Sequence, residues 1–345
     1  MTETLNLFEQ QASNRRKSWW LVAGFFVFFL WLGLGGDLVL YLASREAPLG
    51  AELQYVHRVP WLGLLMGVIA TWMIFDILRN GAKKVLWSTG AVRLEQPSTD
   101  AERQYQNVVE EMAIAAGIPV PKTYIVPDPD PNAFVTGSNP RESHLAVTQG
   151  LLGALDREEL QAVVAHEMGH VKNEDAQLMT VVAGLAGAVL LLRDGVARVV
   201  FHGGGRSSGG GRREGKGGGN PLVVLLLVIW VISWILAPLV TRLLAMGISR
   251  KREFLADAMA AQFTRNPMAL ANALDKIESA VHPTKSITRG VAHLCIADPS
   301  HRKLNEREGG LADLFGTHPP MRLRVARLRA MAFQAQKRGE SGVPG

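Results

Sequence analysis

Apolar positions are unevenly distributed along this chain. Ser18 to Leu42 (SWWLVAGFFVFFLWLGLGGDLVLYL) is apolar almost throughout and carries one charge, Asp37. Pro60 to Leu78 is a second such run, with Asp76 near its exit, and Pro221 to Val240 is a third, uncharged. A helix needs about 20 apolar residues to cross a hydrocarbon core, so each run predicts a membrane span. Ala176 to Leu192 is a borderline fourth, interrupted by Gly184 and Gly187; a buried or interfacial helix is its alternative reading. The intervening sequence is patterned differently. From Asp100 to Ala116 the apolar positions Val108, Val109, Met112 and Ala115 recur at helical spacing, and Gly117 ends the run before Pro119 and Pro121. Thr123–Val126, Ala133–Thr136 and Leu145–Thr148 predict short strands, the last two joined by the turn residues Gly137, Ser138, Asn139 and Pro140. A helical period resumes after Asp156.

Charge adds a direction to this picture. Of 345 residues, 48% are apolar and 20% charged, with a net charge of +6, which excludes a disordered chain. Arg15, Arg16 and Lys17 precede the first span, and Arg79, Lys83 and Lys84 follow the second. The positive-inside rule therefore places both ends of that hairpin, and the N-terminus, in the cytoplasm. Both sides of the later pair of runs are basic, so charge leaves open whether that pair crosses. The stretch 203–219 (GGGRSSGGGRREGKGGG) reads as a solvated linker. The expected organisation is a segment 1–17, a membrane hairpin 18–80, a first soluble-type part 81–175, a second hairpin 176–240 and a second soluble-type part 241–345. The basic residues lie mainly beside the spans, and no nucleic-acid-binding motif accompanies them. A single cysteine, Cys295, excludes an internal disulfide and a cysteine-built metal module. It reads as a buried, idle thiol.

The chemistry gathers at residues 161–175, QAVVAHEMGHVKNED. His166 and His170 are four apart, so on a helix both imidazoles leave the same face and can share one zinc ion at about 2.1 Å. They follow the apolar run Ala162 to Ala165, at core depth, where two imidazoles and a carboxylate without partners would cost several kcal/mol. A catalytic zinc takes a third protein ligand. In SRKREFLADAMA (249–260), Glu253 and Asp257 are also four apart. Glu253 can complete the set, and Asp257 can accept from the distal nitrogen of a ligand histidine. Alone, that pair would read as a salt-bridged helix face; beside the HExxH motif the metal reading prevails. His57, His144, His202, His282, His293 and His301 fall in loops or turns without partner spacing and read as surface residues.

With these motifs in hand, the chain resembles the HtpX-type family of membrane zinc metallopeptidases, relatives of the CAAX prenyl endopeptidases. The likeness rests on the N-terminal hairpin, PNAFVTG at 131–137, AVTQGLL at 146–152, HEMGH at 166–170, SRKREFLADA at 249–258 and THPPMRLRVARL at 317–328. The Gly-rich insertion is longer than the family's, and Val135 stands where alanine is commoner. The resemblance implies a mainly α, membrane-embedded gluzincin fold with a small β-sheet carrying a substrate edge strand. It implies one zinc per chain held by His166, His170 and Glu253, with Glu167 as catalytic base, Asp257 behind a ligand, and His318 and Arg324, near the cleft, as catalytic candidates for stabilising the oxyanion. Main-chain pairing with Asn132, Ala133, Phe134 and Val135 would bind an extended polypeptide. The implied activity is endoproteolysis of damaged or misassembled membrane proteins at the inner cell membrane, on its cytoplasmic side. A maturation peptidase with one partner protein, and a non-catalytic zinc-containing scaffold, are the alternatives.

Overall fold

The computed structural model describes residues 7–45, 59–185, 187–188, 225, 228–233, 252–280, 291, 294–297 and 319–340. The Gly-rich stretch, His318 and the histidines at 57, 202, 282, 293 and 301 lie outside them, as does most of the third predicted span. The chain divides into two compact units: one of residues 1–18, 78–184 and 243–345, the other of 19–77 and 185–242.

The second unit takes in most of α1 (Leu7–Arg45) and α2 (Trp61–Ser88), the two helices that contain both apolar runs of the amino-terminal third. Both are long and apolar enough to cross a membrane. Only 17% of the apolar window of α2 is buried, and Trp61, Val68, Trp72 and Phe75 are exposed along it. The core helix of a water-soluble protein would bury those side chains; lipid is the solvent they suit. Glycine lets the two helices touch: a Cβ on Gly33 would sit 2.6 Å from the Leu62 carbonyl oxygen. The buried Asp37 accepts from the Leu62 and Gly63 amides, at 3.3 and 2.8 Å. A carboxylate here satisfies orphan donors in the first turn of α2. In the helical residues 228–233, Trp230 donates to the Leu32 carbonyl at 2.8 Å.

The first unit is built around a four-stranded sheet of order β1-β2-β4-β3. Its strands are β1 (Val92–Arg93), β2 (Lys122–Val126), β3 (Ala133–Gly137) and β4 (Ser143–Thr148). β2 runs parallel to β4, and β3 pairs antiparallel with β4, Val135 opposite Leu145. Every residue of β3 and β4 is buried, because both faces are covered. Ala133, Val135, Leu145 and Val147 pack with the helices α3 (Asp100–Ala116), α5 (Arg157–Lys172) and α8 (Pro267–Ser279), whereas Phe134 and Ala146 pack with Val85, Leu86, Met179 and Ala183. Local signals set the helix ends. Thr99 and Glu102 cap α3 reciprocally, Asp156 and Glu159 do the same for α5, and Gly117 closes α3 at φ 68°. The short α4 (Gln149–Ala154) follows β4 directly. Asp175–Leu185, here α6, is a shorter apolar helix, and residues 252–264 form α7.

One reading from the sequence is corrected here. His144 is not a surface loop residue but lies buried within β4. Its ring meets Tyr124 edge-on at 5.5 Å. Burial, aided by nearby Lys122, pushes its pKa down to about 4, so it is neutral at physiological pH. Its position opposite Thr136 is fixed by strand pairing, which turn composition does not register.

Candidate metal centre

α5 brings His166, Glu167 and His170 into the core behind its amino-terminal cap, and all three side chains are buried. α7 supplies Glu253 and Asp257, also buried. The close approach of the two helices depends on Gly169, the small residue of HEMGH, where a Cβ would lie 3.3 Å from the Ala256 Cα. The outcome is a convergence of three donor atoms. His166 Nε2 and His170 Nε2 are 3.2 Å apart, and the Glu253 carboxylate lies 3.7 Å from the first through Oε2 and 3.5 Å from the second through Oε1. Ligands held tetrahedrally at about 2.0–2.1 Å from a zinc ion stand about 3.3–3.4 Å from one another, so this donor set fits that ion. Among the described residues it is the one group of this kind.

Each histidine is held from behind. Asp257 Oδ1 lies 3.0 Å from His166 Nδ1, leaving Nε2 for the metal. Asp175, which sequence reasoning missed, places Oδ2 3.3 Å from His170 Nδ1. Its only sequence signal is an acidic residue shortly after a helix end, which is common. Arg324 is fully buried and its guanidinium grips Asp257 with Nε at 2.9 Å and Nη2 at 2.7 Å. Nη1 reaches Glu253 at 3.2 Å and the Ile296 carbonyl at 3.2 Å. Arg324 is thus placed among the carboxylates and against the His166 ring, with Nη2 3.3 Å from His166 Nε2 and each guanidinium nitrogen engaged.

Glu167 stands apart from the ligand set. Its Oε2 is buried without a hydrogen-bond partner. Burial is the main reason its pKa rises to about 7, with Glu253 adding to the rise and His170, Arg324 and the Val135 amide opposing it. Burial would lower His170, but the Asp175 hydrogen bond and the charges of Glu253, Asp175 and Glu167 overcome it and lift the imidazole to about 9. In metal-free protein at pH 7, His170 therefore carries a proton that a metal must displace. Zinc affinity is expected to rise up to about tenfold per pH unit between pH 7 and 9, with proton release on binding. Competition with a chelator at several pH values, in buffers of different ionisation enthalpy, measures both; a flat profile would contradict the assignment.

The predicted substrate strand lies beside this centre. β3 is an edge strand of the sheet, and Asn132, Ala133, Phe134 and Val135 are all buried. Its outer edge is not open, however. Phe134 forms an antiparallel bridge with Cys295, the Ile296 amide donates to the Ala133 carbonyl at 2.9 Å, and Asn132 Nδ2 donates to the Ala297 carbonyl at 3.0 Å. Further along, the Gly137 amide donates to Thr180 Oγ1 of α6 at 3.1 Å. Cys295 is buried as expected.

The sequence model of peptidase family M48 matches residues 99–332, from the cap of α3 into the helix that bears Arg324. The chain belongs to peptidase family M48. A protease HtpX homolog of Streptococcus gordonii is 37% identical over 326 residues, covering 94% of this chain and all of that protein. The protease HtpX homolog of Streptococcus pneumoniae strain P1031 is 40% identical over 331 residues, with the same coverage. The crystal structure of Ste24p from S. mikatae superposes with a TM-score of 0.44 at 18% identity, over 90% of this chain and 66% of that one. As an M48 peptidase of the HtpX type the chain is a membrane metalloprotease, and the His166, His170 and Glu253 group lies inside the matched region.

Proposed function

We propose that this M48 peptidase is an integral membrane endopeptidase that works with one zinc ion held by His166, His170 and Glu253. The observation that carries this reading is the spacing of those three donors with the buried Glu167, whose Oε2 has no hydrogen-bond partner, beside them. A zinc ion, when bound, lowers the pKa of a water from 15.7 to about 7 and polarises the scissile carbonyl. Glu167 takes the proton of the attacking water and passes it to the leaving amine, the paired duty of a positioned general base and acid. Asp257 and Asp175 hold the two imidazoles in the tautomer that leaves Nε2 as ligand. Arg324 balances Asp257 and Glu253, and we assign it to positioning those groups. The THPP motif supports His318 as a donor to the developing oxyanion. A substrate runs extended along Asn132 to Val135, exchanging with residues 294–297 for the Ala133 carbonyl.

The exposed apolar faces of α1 and α2, with Arg15, Arg16, Lys17 and Lys83, Lys84 at their ends, support a multi-pass protein of the cell membrane with the catalytic side in the cytoplasm. Main-chain recognition reads no particular side chain, which favours quality control of damaged or misfolded membrane proteins over maturation of one partner. The test is a cleavage assay on detergent-purified full-length protein with unrelated unfolded proteins, alongside metal analysis. The expected result is one zinc per chain, activity lost on chelation and regained with zinc. Cleavage that withstands chelation would overturn the proposal, and cleavage of one partner alone would favour the maturation reading.

A further inference from the structure

The first membrane helix is longer than a membrane needs. At 39 residues and 1.5 Å per residue, α1 is about 58 Å long against a hydrocarbon core of about 30 Å. Its amino-terminal turns belong to the same unit as the metal centre, and they hold the turn that ends the HExxH helix. Gln11 Nε2 donates to the Lys172 carbonyl at 2.6 Å. Asn14 Nδ2 donates to the Asn173 carbonyl at 3.0 Å and to Asp175 Oδ1 at 2.7 Å. Arg15 pairs with both carboxylate oxygens of Glu174, at 2.7 and 3.0 Å. Two of the carbonyls that a helix leaves unsatisfied at its end thus receive donors from about 160 residues away. The turn has a conformation that requires holding, since Glu174 has φ 57°, uncommon for a residue with a side chain.

Asn14 differs from its neighbours in what lies beyond its contact. It fixes one oxygen of Asp175, and the other oxygen faces His170 Nδ1 at 3.3 Å. Asn14 and Asp175 are both buried, Asp175 completely; Arg252 also approaches Asp175, at 3.6 Å. A buried amide that sets the rotation of a buried carboxylate also sets the direction from which that carboxylate meets the imidazole. We propose that Asn14, acting through Asp175, is a positioning residue for the metal ligand His170, so that the first membrane helix forms part of the metal centre's support. The proposal rests on the zinc reading of the site.

The experiment uses the full-length protein in detergent, with zinc itself as the probe. Zinc affinity is measured by chelator competition, and kcat and KM on an unfolded protein substrate, for wild type, Asn14→Asp, Asp175→Asn and Arg15→Ala. Asn14→Asp keeps the shape but replaces the donor with a second carboxylate facing Asp175. It is expected to weaken zinc binding about ten- to hundredfold, the usual effect of losing support behind a ligand histidine, and to lower kcat more than KM. Asp175→Asn, which removes the charge behind His170 and keeps an acceptor, is expected to lose about tenfold or more. Arg15→Ala removes an exposed ion pair to the same turn and is expected to stay within about twofold of wild type. Wild-type zinc affinity in Asn14→Asp, whatever its melting temperature, would reduce Asn14 to an anchor of the fold and overturn the proposal. An equal loss in Arg15→Ala would overturn it too, by tracing the effect to the turn as a whole. If Asn14→Asp does not fold, wild-type affinity in Asp175→Asn has the same force. A wild-type protein that binds no zinc would sink the metal-centre reading itself, a result distinct from all of these.

Discussion

Glu167→Gln is expected to lower peptide cleavage by about 10²–10⁴-fold, the range that a positioned acid or base contributes, while leaving zinc content unchanged. Glutamine has the size of glutamate and cannot accept a proton. The three donors of the metal site do not include Glu167, so the ion has no reason to leave. A second consequence separates a functional carboxylate from a structural one. In the metal-free protein Glu167 is buried with a pKa raised to about 7, above the ordinary 4.5. The unfolded chain ionises first, so this carboxyl subtracts stability progressively from about pH 4.5 to 7, reaching roughly 3 kcal/mol at neutral pH and above. Metal-free Glu167→Gln is therefore expected to melt no lower than metal-free wild type at pH 8, and their difference to shrink towards about pH 4.5. A variant that still cleaves, or one that has lost its zinc, would remove Glu167 from the role of base.

Arg324→Met is expected to show the second large effect, on folding. The guanidinium is fully buried, and two of its nitrogens meet one carboxylate, Asp257, in a fork while a third reaches Glu253. Its positive charge holds Asp257 below the ordinary carboxylate range against the opposing effect of burial. Removing one partner of a buried ion pair and leaving the other costs about 3–5 kcal/mol. Because Asp257 also supports His166, zinc affinity is expected to fall with stability. Arg324→Lys keeps the charge but lacks the planar fork, so it is expected to recover only part of the loss. Denaturant titration of the two variants beside wild type measures this. A methionine variant within about 1 kcal/mol of wild type would mean that Asp257 finds other partners.

The chain's local instructions were easy to read. α3 begins and ends where capping residues and Gly117 place it, β2 to β4 fall on the predicted runs, and the HExxH spacing sits on a helix as expected. These features depend on neighbours within a few positions. What the sequence conceals depends on distant ones. Nothing near Asn14 indicates that it will meet Asp175, and nothing near His144 indicates that both faces of its strand will be covered. Arg324 is an intermediate case. Among the arginines of the helix Met321–Glu340 it alone shares the 3–4 spacing of Met321, Val325 and Leu328, which are buried. That register distinguishes it from Arg322, Arg327 and Arg329, although the count of arginines suggests a solvated face.

The occupied edge of β3 bears on what kind of substrate is accepted. Ala133 already receives the Ile296 amide, and Asn132 already holds the Ala297 carbonyl. A peptide that pairs there as proposed would replace these bonds with equivalent ones, so the hydrogen-bond count before and after would be the same and that pairing would contribute little net affinity. The advantage must then come from the entrant's own state: a folded segment would have to break its internal bonds to compete, whereas an unfolded one exchanges water for the strand. On the proposed pairing, such a site would discriminate by conformation, and a stretch of chain would become a substrate by losing its structure.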